Sequence, residues 1–325
     1  MKSTWKSWLG ALMLFGVMSM AASAADTYPS RPIQFIIPYP PGGASDVIAR
    51  ILAPKMSAAL GQPVVIQNRP GANGNIATDD VARAKPDGYT ILMGNVGPNA
   101  INPAIYKNVK FDPIKSFVPI VQTGNVPMVV VVNASLPVKN MQEFLAYLRD
   151  SKQPPIFATG GIGSATHLTS GLLEVMGKIK LTHVQYSGDP FTLNDMIGGH
   201  VMMGIVTLPA LLPFIKNDHL RILAVTTANR TPKLPDTPTI AESGIPGFDS
   251  ASWGGVFAPA GTPAPIVDKL NSTLVTILKD PGVAQQLGQL GVDIVGNTPP
   301  QFGDYLGQEV RKWAGVVKQT GISAN

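Results

Sequence analysis

The chain of 325 residues contains no cysteine. It therefore has no disulfide framework, thiolate metal site, iron–sulfur cluster or cysteine nucleophile. Charge is also scarce: 14% of residues are Asp, Glu, Lys or Arg, against about 25% in ordinary globular proteins. The net charge of +5 is scattered, and no run of Lys and Arg makes a nucleic-acid footprint. No stretch beyond the N-terminal segment is long and apolar enough to span a membrane. What abounds is glycine, with 33 residues, and proline, with 30. They follow no fixed period, which excludes collagen. A hydrophobic content of 45% argues against long disorder. The length fits about two domains with a large core.

Residues 1–25 follow the three-part pattern of a secretory signal. Lys2 and Lys6 give a positive start, Leu9 to Ala22 is uncharged and mostly apolar, and small residues end it at Ala24 or Ala25. The apolar stretch is short for a membrane span. No cysteine follows it to carry a lipid. The mature chain is expected to be soluble and exported, held together by packing alone.

The body alternates strand-like and helical segments. Ile33 to Pro38 fits a buried strand, and Val64-Val65-Ile66, Tyr89 to Met93, Val129 to Val132, Leu181 to Gln185, Met203 to Val206 and Ile222 to Val225 fit others. Helical spacing marks Asp46 to Leu60, with Pro54 inside it as an expected kink. It also marks Ile76 to Ala84, Met141 to Arg149, Thr166 to Met176, Leu193 to Ile197, Ile266 to Leu278 and Gly282 to Leu290. The alternation implies an α/β fold with mainly parallel sheets. Thr123 to Pro127 and the segment around Ile245 to Trp253 look like crossings between domains. The expected division is 26–125 with 250–325 as a discontinuous first domain and 126–249 as the second.

Two glycine loops share one design. Pro41-Gly42-Gly43-Ala44-Ser45-Asp46 and Gly160-Gly161-Ile162-Gly163-Ser164-Ala165-Thr166-His167 each join a short strand to a helix N-terminus. Such a junction offers backbone N–H groups and partial positive charge to an anion. One loop falls in each expected domain, so together they could grip one anion across a cleft. Neither matches a nucleotide fingerprint, so a carboxylate is the better candidate. Arg69 could clamp an anion or pin its loop, with pinning favoured, and Trp253 could be core, hinge or pocket wall, with core favoured. The four histidines, His167, His183, His200 and His219, show no metal spacing. A hydrolase using Ser164 and His167 is the competing class, yet Gly-x-Ser-x-Gly is absent. No metal, cofactor or catalytic residue is expected.

Six segments in order carry a family resemblance. They are Ile36-Ile37-Pro38-Tyr39-Pro40-Pro41-Gly42-Gly43-Ala44-Ser45-Asp46, Asn68-Arg69-Pro70-Gly71-Ala72-Asn73-Gly74, and Lys85-Pro86-Asp87-Gly88-Tyr89-Thr90. Then come Gly163-Ser164-Ala165-Thr166-His167-Leu168, Leu234-Pro235-Asp236-Thr237-Pro238-Thr239 and Ala258-Pro259-Ala260-Gly261-Thr262-Pro263. The mature chain resembles the periplasmic solute-binding proteins of tripartite tricarboxylate transporters, the Bug receptor family. The resemblance implies a two-domain Venus flytrap of the type II periplasmic-binding-protein kind, closing by hinge motion on a small organic acid, often a dicarboxylate. It implies Gly42, Gly43, Ala44, Ser45 and Asp46 on one side of the ligand. Gly163, Ser164, Thr166 and His167 stand on the other, with Asn95 lining the pocket. It further implies a membrane permease as partner, and a monomer is expected.

Two departures bear on the ligand. Family members often carry an Asp near the end of the strand that here reads Met203-Gly204-Ile205-Val206; Val206 in its place makes an amino-acid ligand less expected. After Tyr186 the chain reads Ser187-Gly188-Asp189-Pro190-Phe191. Phe191, with Tyr39 and Val206, is compatible with an apolar or aromatic acid. A ligand sensor for a signalling partner would look the same from this chain.

Overall fold

The structure, a computed structural model, describes residues 28–324. The signal-peptide reading lies outside the described residues. Chain order begins with β1 (Ile33–Ile37), α1 (Ala44–Leu60), β2 (Val64–Asn68), α2 (Asn75–Ala82), β3 (Thr90–Asn95) and α3 (Asn102–Ile105). A long strand, β4 (Phe117–Asn133), leads to α4 (Met141–Asp150), β5 (Ile156–Thr159), α5 (Ala165–Gly177), β6 (Thr182–Gln185) and α6 (Asp189–Ile197). Next are β7 (Met203–Thr207), α7 (Leu208–Leu211), β8 (Leu220–Val225) and β9 (Ala251–Pro259). The chain closes with α8 (Ala264–Leu278), α9 (Pro281–Gln289), β10 (Asp293–Ile294) and α10 (Pro299–Thr320).

The strands run β2-β1-β3-β9-β4-β7-β5-β6, with β8 and β10 also paired to β4. β4 is the pivot of this order. Its first part, Phe117 to Pro127, pairs with β9, and Met128 onward pairs with β7 and β8. The sheet therefore has two lobes joined by two adjacent antiparallel strands. The expectation of mainly parallel sheets is corrected to a mixed one. Between named strands, the parallel pairs are β1 with β2 and β3, and β5 with β6 and β7. Every pairing made by β4 and β9 is antiparallel.

Sequence explains the helices that carry the loops. α1 buries Ile48, Ala49, Leu52, Ala53, Met56 and Leu60, an i, i+4 stripe, and stops at left-handed Gly61. The helix continues through Pro54. α5 is buried on most sides, matching its run of Leu, Thr, Ser and Gly. The 22-residue α10 is absent from the helices expected on spacing. Glycines at 303, 307 and 315 dilute its pattern. Its stripe is nonetheless regular, with Phe302, Leu306, Glu309, Trp313 and Val316 buried, and a capping box between Thr298 and Gln301 starts it. α10 packs on both α5 and β4. Its Glu309 accepts hydrogen bonds from the indoles of Trp253 and Trp313, at 2.9 Å each. Trp253 is thus core, fully buried beside the junction of the lobes.

Candidate functional site

A cleft of about 570 Å³ lies between the lobes, lined from both of them and from the joining strands. From the first lobe come Tyr39, Gly43, Ala44, Ser45 and Asn95. The second lobe supplies Gly160, Ser164, Thr166, Asp189 and Thr207. Val126, Ser252 and Gly254 of the joining strands form its floor. A second chamber of about 510 Å³ adjoins it, sharing Ile48, Val126, Asp189 and Thr207. Gly42 lines that chamber, with apolar Pro209, Ala210 and Leu290.

The first loop leaves its helix end open. Gly43 is the N-cap of α1, and no side chain caps the first turn. The opening N–H groups of a helix have no partner within the helix, and here Ala44 and Ser45 carry them to the cleft. Asp46 does not line the cleft, contrary to expectation. Its buried carboxylate is turned back into the loop, where Oδ2 accepts from Gly42 N at 2.9 Å and Arg50 Nε at 2.8 Å. Oδ1 accepts from Asn68 Nδ2, which also donates to the Tyr39 carbonyl. The Arg50 hydrogen bond is the main reason its carboxyl is held down to about 2. Asp46 shapes the loop, and Arg50 offsets its charge. Asn95 braces the same side: Oδ1 accepts from Tyr39 Oη and Gly97 N, and Nδ2 donates to Ser45 Oγ at 3.4 Å. Burial pushes the Tyr39 phenol up to about 12, so it stays a donor.

The second loop closes on itself. Ser164 Oγ caps α5 by accepting from His167 N at 3.2 Å. Gly163 N donates to His167 Nδ1, and Gly160 N donates to Thr166 Oγ1. Gly163 is buried and has φ of +71°, a conformation that favours glycine, and a Cβ there would have to displace Ile105 Cδ1. His167 is likewise buried behind the loop, its ring edge-on to His183. Burial holds its imidazole down to about 4. Of the expected second-lobe residues, Ser164 and Thr166 line the cleft, whereas Gly163 and His167 stand behind it.

Two further expectations are corrected. Val206 is fully buried among Val129, Leu193 and Leu208, because alternate strand residues face opposite ways. Its neighbour Thr207 faces the cleft instead. Phe191 is 59% exposed and lines neither chamber. An aromatic acid thus loses two of the three side chains offered for it. Sequence reasoning also missed Asp189 and Thr207 as cleft residues. A signal existed, since Gly188-Asp189-Pro190 opens a helix after a strand, the design of the two recognised loops. Arg69 does pin its loop, reaching Gln67 and Asp80.

Ser164 and His167 are not paired as nucleophile and base: the serine bonds to the histidine backbone, and the ring nitrogen serves Gly163. A Ser170–His183–Glu174 chain of hydrogen bonds does exist, at 3.1 and 2.9 Å. Ser170 is wholly buried, however, and donates to the His167 carbonyl. It ties α5 to β6.

The family model described as "Tripartite tricarboxylate transporter family receptor" matches residues 48–322. The chain belongs to that receptor family. It is 36% identical over 302 residues to BugT of Bordetella pertussis, covering 93% of each protein. Among solved structures it resembles R. palustris Rpa4515 with adipate, with 36% identity and a TM-score of 0.78 over 91% of this chain and 99% of that one. It also resembles the periplasmic binding protein BugD, at 36% identity and a TM-score of 0.75, over 91% and 99%. The fold is accordingly the two-domain α/β fold of type II periplasmic binding proteins, and the family is one of solute receptors rather than a class of enzymes.

Proposed function

We propose that this protein is a periplasmic receptor that captures a small organic carboxylate between its lobes and delivers it to the permease of a tripartite tricarboxylate transporter. The observation that carries this reading is the uncapped N-terminus of α1, facing a glycine loop of the opposite lobe across an open cleft. A carboxylate seated on the Ala44 and Ser45 N–H groups gains hydrogen bonds and the favourable end of the helix dipole. Ser164 and Thr166 then meet the rest of the molecule from the second lobe. Adipate in the R. palustris relative supports the ligand class. The lobes divide as 26–125 with 250–325 against 126–249, and β4 and β9 act as the hinge. A ligand touching both lobes stabilises the closed form. Residues 1–25 serve as the export signal.

The test is a thermal-shift screen of the purified protein against mono-, di- and tricarboxylates, amino acids and sugars. A ligand that binds only the folded state raises the melting temperature by mass action. A shift with one carboxylate class, and the compound recovered unchanged, is expected. Silence across all carboxylates, or turnover of the compound, would overturn the reading.

A further inference from the structure

Among the described residues, Asp189 is the one acidic side chain lining both chambers of the cleft. It opens α6 and reaches across to the end of β7. There Oδ2 accepts from Thr207 N at 2.8 Å and from Thr207 Oγ1 at 2.6 Å. Both bonds fix one oxygen and hence the orientation of the carboxyl. The other oxygen, Oδ1, accepts no hydrogen bond among the described residues. It packs over Gly160, where a Cβ would collide with it, and Thr166 Oγ1 would lie 3.3 Å from the same Cβ. Oδ1 therefore sits at the mouth of the second glycine loop, on the cleft side. No lysine, arginine or histidine among the described residues pairs with Asp189. Burial raises its pKa, and the two Thr207 bonds oppose that shift.

A fixed carboxyl with one unused oxygen in a binding cleft needs a donor. The first lobe offers an anion an uncapped helix end; this corner of the second lobe offers it a carboxyl group. The two sides of the cleft are thus chemically unlike, although their loops are alike in sequence. We propose that Asp189 selects the ligand: it accepts a hydrogen bond from a hydroxyl or ammonium group on the bound acid and disfavours a second ionised carboxylate at that place. The proposal rests on the receptor reading above and names its ligand more narrowly, as an organic acid carrying a donor. It also restores amino acids, which Val206 had made less expected, because an acid reaches the end of that strand from α6.

The experiment titrates the purified wild-type protein and Asp189→Asn with two matched series at pH 7. One is succinate, malate and aspartate. The other is adipate, 6-hydroxyhexanoate and 6-aminohexanoate. Within the series that binds, the wild type is expected to prefer the hydroxyl or ammonium compound to the plain dicarboxylate by at least about tenfold. Asp189→Asn should reduce that preference by about tenfold or more, with the ammonium compound losing most, because an ammonium can only donate whereas a hydroxyl can also accept from the new amide. Thr207→Val, which removes one of the two bonds to Oδ2, should shift the ranking the same way by less. A plain dicarboxylate binding tightest in wild type, with the ranking unchanged in Asp189→Asn, would overturn the proposal and leave the receptor intact. So would a lowered melting temperature with the same ranking, which marks Asp189 as a mere brace between α6 and β7. If no compound of either series, nor any other carboxylate, binds the wild type, the receptor reading itself fails.

Discussion

The two glycine loops read alike along the chain, yet they do different work. The first keeps its helix end open because its acid, Asp46, turns back to Gly42, Arg50 and Asn68. In the second, Ser164, Thr166 and His167 occupy N–H groups of their own loop. Asp189 then adds an acidic atom beside it. A strand–glycine–helix signature thus fixes where a loop stands, at the end of a strand facing the cleft. The short side chains after the glycines decide whether its donors stay available. In the proposed receptor the first loop seats the carboxylate, and the second reads what remains of the ligand.

The sharpest way to break this contrast is Ala44→Asp. Ala44 is exposed in the first turn of α1, where an acidic residue suits the helix dipole. The variant should fold as stably as the parent while placing a negative charge in the proposed seat. Carboxylate affinity should fall more than about 100-fold, since like charges placed face to face cost several kcal/mol. Retained affinity, measured by titration calorimetry, would move the seat elsewhere.

The next effect concerns the closed loop and its histidine. Folding lowers the pKa of His167 from its ordinary 6.5 to about 4, through burial first and the neighbouring His183 second. The unfolded chain therefore takes up the proton first as pH falls. This contribution is whole above about pH 6.5 and is lost progressively towards pH 4. The full difference is of the order of 3 kcal/mol. The fall in stability on acidification, followed by denaturant unfolding, should be flatter over this range in His167→Gln than in the parent; equal slopes would refute the assignment.

Smaller effects sharpen the comparison. Asn95→Ala strips partners from Tyr39 Oη and Gly97 N and should cost about 1–2 kcal/mol of stability, along with weaker binding. Ser164→Ala removes the α5 cap, the 2.9 Å hydrogen bond between Ser164 Oγ and Thr166 Oγ1, and one hydroxyl at the second-lobe wall of the cleft. It should lower stability by about 1 kcal/mol, with less than about a tenfold change in affinity. An affinity loss matching that of Ala44→Asp would reverse the roles of the loops.

Much of the fold is legible in sequence because it depends on local pattern. β1, the loop from Pro40 to Ser45, and α1 follow from an apolar run, a glycine stop and an i, i+4 stripe. The length of β4 and β9 is not legible in the same way. Their glycines and prolines mask a strand pairing that only tertiary contact supplies. α10 is hidden in the same way by its glycines. At the cleft, Tyr39, Gly43, Ala44, Ser45, Asn95, Ser164 and Thr166, expected from sequence as ligand contacts, are among the lining residues. It misplaced Val206 by one residue, which on a strand reverses the face. Gly188-Asp189-Pro190 marks a third loop before a helix, but spacing does not show where the Asp189 carboxyl points, because its partner Thr207 lies on another element.

The most direct measurement is a crystal structure with the carboxylate that gives the largest thermal shift. The account predicts that carboxylate on the N–H groups of Ala44 and Ser45, with the far end of the ligand between Asp189 and Thr166. A carboxylate seated instead on the Gly160–Thr166 loop, or outside the cleft altogether, would contradict it.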